Sequence, residues 1–288
     1  MTNQYLTVLA GNPRGGEKTW ETLRENVLKP LNSDLAICTG DKWLNDQSFI
    51  KYADYQWVFH EPEDWFSYYI ENFKGTWRQY FELGKNSGLY NSGSIHFAIK
   101  DIILNNYLNE LQKYDYIIYT RFDQFYLEEH PDFFENKIWI PTGEDYFGIC
   151  DRHAVIPVEF IESFLGICTY IDNPESLKNN SNYLNCEVAF KNHLESIGLL
   201  KKVQRYDRKQ FTSALSSDKT NWRIPKYKLY FFNDLMIKYP DEFIDSFNNI
   251  FKVKVISYLV RYPILSLNYI YLLIRRTIGN LQKRISFK

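Results

Sequence analysis

The stretch YDYIIYTRFDQFYL, residues 114–127, decides how this chain is to be read. Its β-branched and aromatic residues form a strand of buried character that runs straight into Arg121-Phe122-Asp123. A cation and a carboxylate therefore emerge together where the apolar run ends. In an open α/β sheet, the carboxyl ends of the strands are where ligands bind. A second polar cluster, GEDYFGICDRH at residues 143–153, follows a short strand at 137–140 and precedes an apolar segment at 154–158. Two charged clusters at strand exits point to one shared cleft.

Upstream, a strand at residues 5–10 leads into the turn GNPRGG, and a helix follows with Trp20, Leu23, Val27 and Leu28 on one face until Pro30 stops it. Residues 34–39 read as the next strand, ending in Gly40-Asp41. Strand, helix and strand in that order make a βαβ unit, hence a parallel pair. Residues 42–92 hold Trp43, Trp57, Trp65 and Trp77 without a strong period, as loops and short helices would. A helix over 94–113, with Ile95, Ile99, Ile102, Ile103, Tyr107 and Leu111 facing inward, feeds the strand at 116–120. Beyond the second cluster the pattern predicts a helix over 158–171, an Asn-rich loop at 172–185, a helix over 186–197 and a strand at 199–203. No internal repeat interrupts this alternation, and the fold class is α/β.

At 288 residues with 45% hydrophobic content, the chain buries a sizeable core and is not a disordered one. Aromatics reach 18%, and core packing accounts for most such residues before sugar stacking need be invoked. Cys38, Cys150, Cys168 and Cys186 form no C-x-x-C pair and read as reduced thiols. The opening MTNQYLTVLAG has neither a basic leader nor an apolar segment of signal-peptide length, so a cytoplasmic location is expected. The net charge of −1 hides an asymmetry. Of 34 Lys and Arg, eight follow Asp245 and no acid does; 26 bases against 35 acids leave −9 on residues 1–245 and +8 on residues 246–288. The chain is accordingly divided into a body, 1–245, and a basic tail, 246–288.

The turn at residues 11–16 resembles a phosphate loop but fails by one residue, because Glu17 stands between Gly16 and Lys18. It does not fit G-x-G-x-x-G either. What remains is a Gly-rich strand-to-helix turn with Arg14 and Lys18, whose amides suit a diphosphate, or whose glycines only supply unusual dihedrals. Asp123 suits a divalent ion held by one carboxylate plus phosphate oxygens, or a surface ion pair with Arg121. In the second cluster Asp151 can accept a proton from a hydroxyl, while Arg152 or His153 stabilises negative charge; the bland reading is an Arg152–Asp pair fixing a loop. Glu187, capped by Asn185, sits in the first turn of its helix, where dipole chemistry alone explains an acid.

Taken together, LTVLAGNPRGGEKTW, YDYIIYTRFDQF, IPTGEDYFGICDRHAVIP and NCEVAFKNHL, spread over about residues 5–200, resemble a GT-A-type glycosyltransferase that uses sugar nucleotides. The kind is that of bacterial capsule and lipopolysaccharide clusters and of large DNA viruses. The resemblance implies a GT-A-like, Rossmann-type mixed sheet, mainly parallel and flanked by helices. It implies hexosyl or pentosyl transfer from a nucleotide sugar such as a UDP-sugar to a hydroxyl of a glycan or glycolipid acceptor. It places the donor at Gly11, Asn12, Arg14, Lys18, Thr39, Asp41, Arg121 and Asp123. Asp123 matches the last Asp of the family's Asp-x-Asp motif and would face Mg²⁺ or Mn²⁺, but Arg121 replaces the first. Asp151 becomes the base, with Asp145 and Glu187 as alternatives, and Tyr146, Arg152 and His153 meet substrate. The lost Asp motivates a second class of reading, a non-catalytic carbohydrate-binding or scaffold protein. A P-loop kinase or sulfotransferase is disfavoured by Glu17.

In the tail, aliphatic residues alternate with arginines and tyrosines, and the uncharged run 262–274 is 13 residues, short of the roughly 20 that a spanning helix needs. A basic amphipathic helix lying on an anionic membrane surface is expected, peripheral on the inner face. Packing on the body and a spanning segment are the alternatives. A nucleic-acid arm is disfavoured because the body is acidic and the tail aliphatic.

Overall fold

The structure is a computed structural model that describes residues 3–46, 48–133, 135–178, 184–220, 227–228 and 234–286. Among the described residues eleven strands follow in chain order: β1 (Tyr5–Ala10), β2 (Asp34–Gly40), β3 (Tyr55–Phe59), β4 (Tyr116–Arg121), β5 (Gln124–Tyr126), β6 (Ile138–Pro141), β7 (Ala154–Pro157), β8 (Val203–Tyr206), β9 (Gln210–Leu215), β10 (Tyr227–Lys228) and β11 (Leu235–Ile237). Seven of them form one sheet in the order β3-β2-β1-β4-β7-β6-β8. It is mainly parallel: β7 alone is reversed, antiparallel to both β4 and β6. Every residue of β1 and β7 is buried, as are all of β4 up to Thr120, which is the pattern of strands covered on both faces. The fold class is thus the mixed, mainly parallel α/β sheet flanked by helices that the alternation predicts.

Two compact units divide the chain. The first, Met1–Pro13, Val27–Phe122 and His130–Asp207, holds the seven-stranded sheet. Its core joins Val8, Ile117, Tyr119 and Ile156 to Phe97 of the helix Ser94–Leu111, Phe164 of Val158–Leu165 and Phe190 of Cys186–Ser196. The second, Arg14–Asn26, Asp123–Glu129 and Arg208–Lys288, holds the four-stranded sheet β10-β11-β9-β5. There Phe125, Phe211 and Ile237 pack with Phe243, Phe247, Tyr258 and Tyr269 of the helices Pro240–Arg261 and Pro263–Ser286. The division expected at 245 falls inside the first of these helices, whose inner face belongs to the second unit's core.

Local expectations fail where backbone detail decides. The helix expected to stop at Pro30 passes through a π-turn, Arg24–Leu28, and ends at Leu31 with Asn32 left-handed at φ 47. Proline lacks an N–H, and its place at the start of the last short segment, Lys29–Leu31, costs little. The expected helix 158–171 breaks at Gly166 into Val158–Leu165 and Ile167–Ile171. The strand expected at 199–203 is a 3₁₀ turn, Leu200–Lys202, followed by β8. Part of the Asn-rich loop, 179–183, lies outside the described residues. The four cysteines are free, as expected.

Candidate functional site

The strand order reverses between β1 and β4, so the carboxyl ends of these strands and of β2 form the crevice that open α/β sheets use. Ala10 lies opposite both Cys38 of β2 and Arg121 of β4. Gly11, left-handed at φ 105, turns the chain there and donates its N–H to the Cys38 carbonyl at 3.0 Å. Just beyond, Asn12 Oδ1 and Thr39 Oγ1 are buried without a hydrogen-bond partner. Buried polar atoms are nearly always paired, so each of these asks for a partner, a ligand atom or a water. Asp41 lies further out, 2.7 Å from His60 Nδ1 and accepting the Glu61 N–H at 3.2 Å. His60 first, and then that N–H, hold its carboxyl below the ordinary range.

The 143–153 block reaches the same unit's β4 through sheet pairing. β7 runs antiparallel to β4 with Ala154 opposite Tyr119, which sets His153 Nδ1 3.1 Å from Thr120 Oγ1. His153 Nε2 is 3.0 Å from His130 Nε2; burial, then His130, push its pKa well down, and the ring is neutral. Asp151 Oδ2 accepts from Lys100 Nζ at 2.8 Å, and both side chains are buried. Phe97, Tyr119 and Phe190 ring that ammonium at 5.8, 5.0 and 5.5 Å. Burial works to raise the Asp151 pKa, but Lys100, Arg152 and His96 outweigh it and hold the carboxylate anionic. Arg121 Nη1 lies 3.3 Å from His96 Nε2, one helical turn before Lys100.

Arg152 bridges two acids, with Glu187 at 2.5 Å and Glu144 at 3.4 Å. Burial raises the Glu187 carboxyl against the pull of Arg152. The loop is strapped to the start of the helix Cys186–Ser196. Asn185 caps the Val188 N–H and donates to the Tyr146 carbonyl, both at 2.8 Å, and Ile149 N–H reaches the Glu187 carbonyl at 3.0 Å. A Cβ on Gly148 would sit 2.0 Å from the Glu187 carbonyl carbon, so only glycine fits. Glu144, Tyr146 and Phe147 all carry positive φ, and Phe147 is 84% exposed. Left-handed non-glycine residues cost about 1–3 kcal/mol each and cluster at ligand clamps and active sites. Asp145 receives Arg205 Nη2 at 2.9 Å on both oxygens and the Cys150 N–H at 3.0 Å.

In the second unit, Arg14 Nη2 stands 3.6 Å from Asp123 Oδ2, and the Asp123 carbonyl accepts the Ser213 N–H at 2.8 Å. The glycine turn already meets a carboxylate, because Asp218 Oδ2 takes the Gly15 N–H at 3.0 Å. Lys18 pairs with Glu21 along its own helix at 2.8 Å rather than reaching back to the turn.

His153 meets Thr120 of β4 and Asp151 meets Lys100, while Asp145 turns to Arg205 of β8 and Tyr146, Arg152 and Glu187 join at the start of the helix Cys186–Ser196, all in the unit that holds Gly11, Asn12, Thr39, Asp41 and Arg121. Arg14, Lys18 and Asp123 belong to the other unit. Asp151 is committed to Lys100, and a carboxylate so stabilised as an anion is a weak proton acceptor. Asp145, with 34% of its side chain exposed, is the most open of the three expected bases. Lys100, His96, Glu144 and Arg205 were not singled out by sequence. Only Lys100 left a signal, a lone cation in the apolar helical run IHFAIKDII. Among the described residues no group of three or more His, Cys, Asp or Glu is placed to hold a metal ion.

Neither a protein-family model nor a curated protein matches this chain. Among solved structures it is similar to one titled "PaToxG Glycosyltransferase", with 14% identity, 68% of each chain covered and a TM-score of 0.35. A likeness at that score carries no weight for activity.

Proposed function

We propose that the protein is a glycosyltransferase, moving a hexosyl or pentosyl group from a nucleotide sugar to a hydroxyl of a glycan acceptor. The observation that carries this reading is the pair of orphaned buried oxygens, Asn12 Oδ1 and Thr39 Oγ1, at the strand-order reversal of a mainly parallel sheet. Asn12 Oδ1 accepts from a hydroxyl or N–H of the donor, and the Thr39 hydroxyl can accept one or donate its own proton. Arg121, at the end of β4, meets the negative charge that develops on the departing diphosphate as the bond from the anomeric carbon to the phosphate oxygen breaks. The acceptor oxygen forms the new bond, and its proton passes to a carboxylate of the 143–153 block, for which Asp145, though paired with Arg205, is the most open candidate. The strained loop carrying Tyr146 and Phe147 offers aromatic faces to a sugar ring. Asp123, a residue of the second unit, is proposed as a metal-facing carboxylate that would hold Mg²⁺ or Mn²⁺, which would supply positive charge against a phosphate.

The test is a thermal-shift screen against UDP-, GDP-, CMP- and dTDP-sugars, with Mn²⁺ present and absent. Thr39→Val is expected to keep or raise the melting temperature, since it removes an unpaired buried hydroxyl, and to lose the donor-induced shift. Asp123→Ala is expected to lose only the Mn²⁺-dependent part. A shift unchanged in Thr39→Val removes the proposed donor edge. The closed Lys100–Asp151 pair favours a second reading, carbohydrate binding without catalysis. Donor hydrolysis without acceptor separates the two, because only an active enzyme releases nucleoside diphosphate.

A further inference from the structure

The helices Pro240–Arg261 and Pro263–Ser286 are apolar on two faces. The inner face, with Phe247, Tyr258, Leu265, Tyr269 and Leu272, is buried in the second unit's core. On the outer face Ile264, Leu267, Tyr271, Ile274, Ile278 and Leu281 are all exposed, spaced alternately by three and four residues. Residues so spaced fall on one stripe. The preceding helix is kinked at Lys254 (φ −130, ψ 31), and beyond the kink Ile256 and Val260 repeat the four-residue spacing, with Val260 80% exposed. A helix that sets an exposed apolar stripe beside exposed cations is suited to a membrane interface. Among the described residues no helix is long and apolar enough to cross a membrane, so this stripe suits lying along a bilayer.

Charge chooses the occupant. After Asp245 the sequence has eight cations and no acid, and Lys252, Arg275 and Lys283 are exposed on these helices. Lys254 and Arg261 pair with Glu128 and Glu129, and Arg276 with Asp241 and Asp245; a second copy docking stripe to stripe would bring the exposed Lys252, Arg275 and Lys283 of the two copies together, cation against cation. An anionic bilayer complements both features, taking the aliphatic stripe at the acyl boundary and the cations at its headgroups. We propose that the outer face of residues 253–285 is a docking surface for an anionic phospholipid membrane, on which the two helices lie in the headgroup plane. It stands on the helices alone and does not require the transferase reading.

Flotation of the full chain tests this, with vesicles of phosphatidylcholine alone and of phosphatidylcholine mixed with phosphatidylglycerol. Two variants probe the two features: Leu267→Glu with Ile274→Glu, and Lys252→Gln with Arg275→Gln and Lys283→Gln. All five side chains are exposed, and circular dichroism confirms that each variant keeps its helices. The wild type should float with the anionic vesicles and remain at the bottom with the neutral ones. The glutamate pair should lose at least about tenfold in partitioning. The glutamine triple should lose about a hundredfold, about fivefold per cation removed. Equal flotation with neutral vesicles, or unaltered flotation of either variant, overturns the proposal. So does a dimer in sedimentation equilibrium that Leu267→Glu dissolves while no flotation occurs, which assigns the stripe to a second copy.

Discussion

The charged block at 143–153 and the outer face of the last two helices invert the usual arrangement in opposite ways. In the first, ionised groups lie inside: Lys100 is 1% exposed yet holds Asp151, and Arg152 is enclosed with Glu144 and Glu187. In the second, aliphatic side chains lie outside. Each departure costs free energy, but the block repays its cost within the fold by pairing, whereas the stripe leaves its cost standing until something covers it. The lesson is that the block is internally committed and the stripe is not. Substitutions should therefore be severe in one region and nearly silent in the other.

The largest effect should come from breaking one buried pair. Lys100→Met leaves Asp151 buried without its cation and is expected to cost about 3–5 kcal/mol in urea unfolding. Adding Asp151→Leu should restore most of that loss. A single substitution costing under about 1 kcal/mol would show that the pair does not hold the interior.

Next in size is the response to acid. Burial holds His193 down to about 4, and burial together with His130 holds His153 well below its ordinary value. The unfolded chain takes up both protons below pH about 6.5, while the folded chain does not. Stability is thus full above that pH and falls on acidification, by up to about 1.4 kcal/mol per pH unit for each histidine. Glu187, raised by burial, offsets part of this. Unfolding midpoints at pH 7 and pH 5 should drop accordingly, and His193→Gln should remove one histidine's share. A midpoint constant over that window would contradict neutral histidines in the interior.

The smallest effect should be on the stripe. Val260→Ser or Leu267→Glu touches no core and should change stability by less than about 0.5 kcal/mol in the absence of lipid. A loss of 2 kcal/mol or more would mean that the outer face is covered within the chain itself, and the contrast between the regions would collapse.

What was legible in the sequence follows the same division. β1, β2 and β4 are runs of β-branched and aromatic residues buried on both faces, and such runs announce themselves. β3, YQWVF, lies at the sheet edge inside an aperiodic aromatic segment and has no such signature. The second sheet escaped because β5 is three residues long and pairs with β9 some 85 residues later, a contact no local pattern encodes. Among site residues, the convergence of the 143–153 block with NCEVAF was foreseeable in chemistry but not in detail. That Asp151 would be paired with Lys100 depends on a helix fifty-one residues upstream. Its apolar neighbours hinted that the lysine was buried, and nothing hinted at its partner.

Gly148 has a consequence for the mutational history open to this protein. Every single-base missense change from a glycine codon adds at least a Cβ, and at this position a Cβ has to displace the Glu187 peptide and with it the partner of Arg152. Drift at position 148 has no small first step. The residue is a fixed pivot that can change only together with the helix it touches.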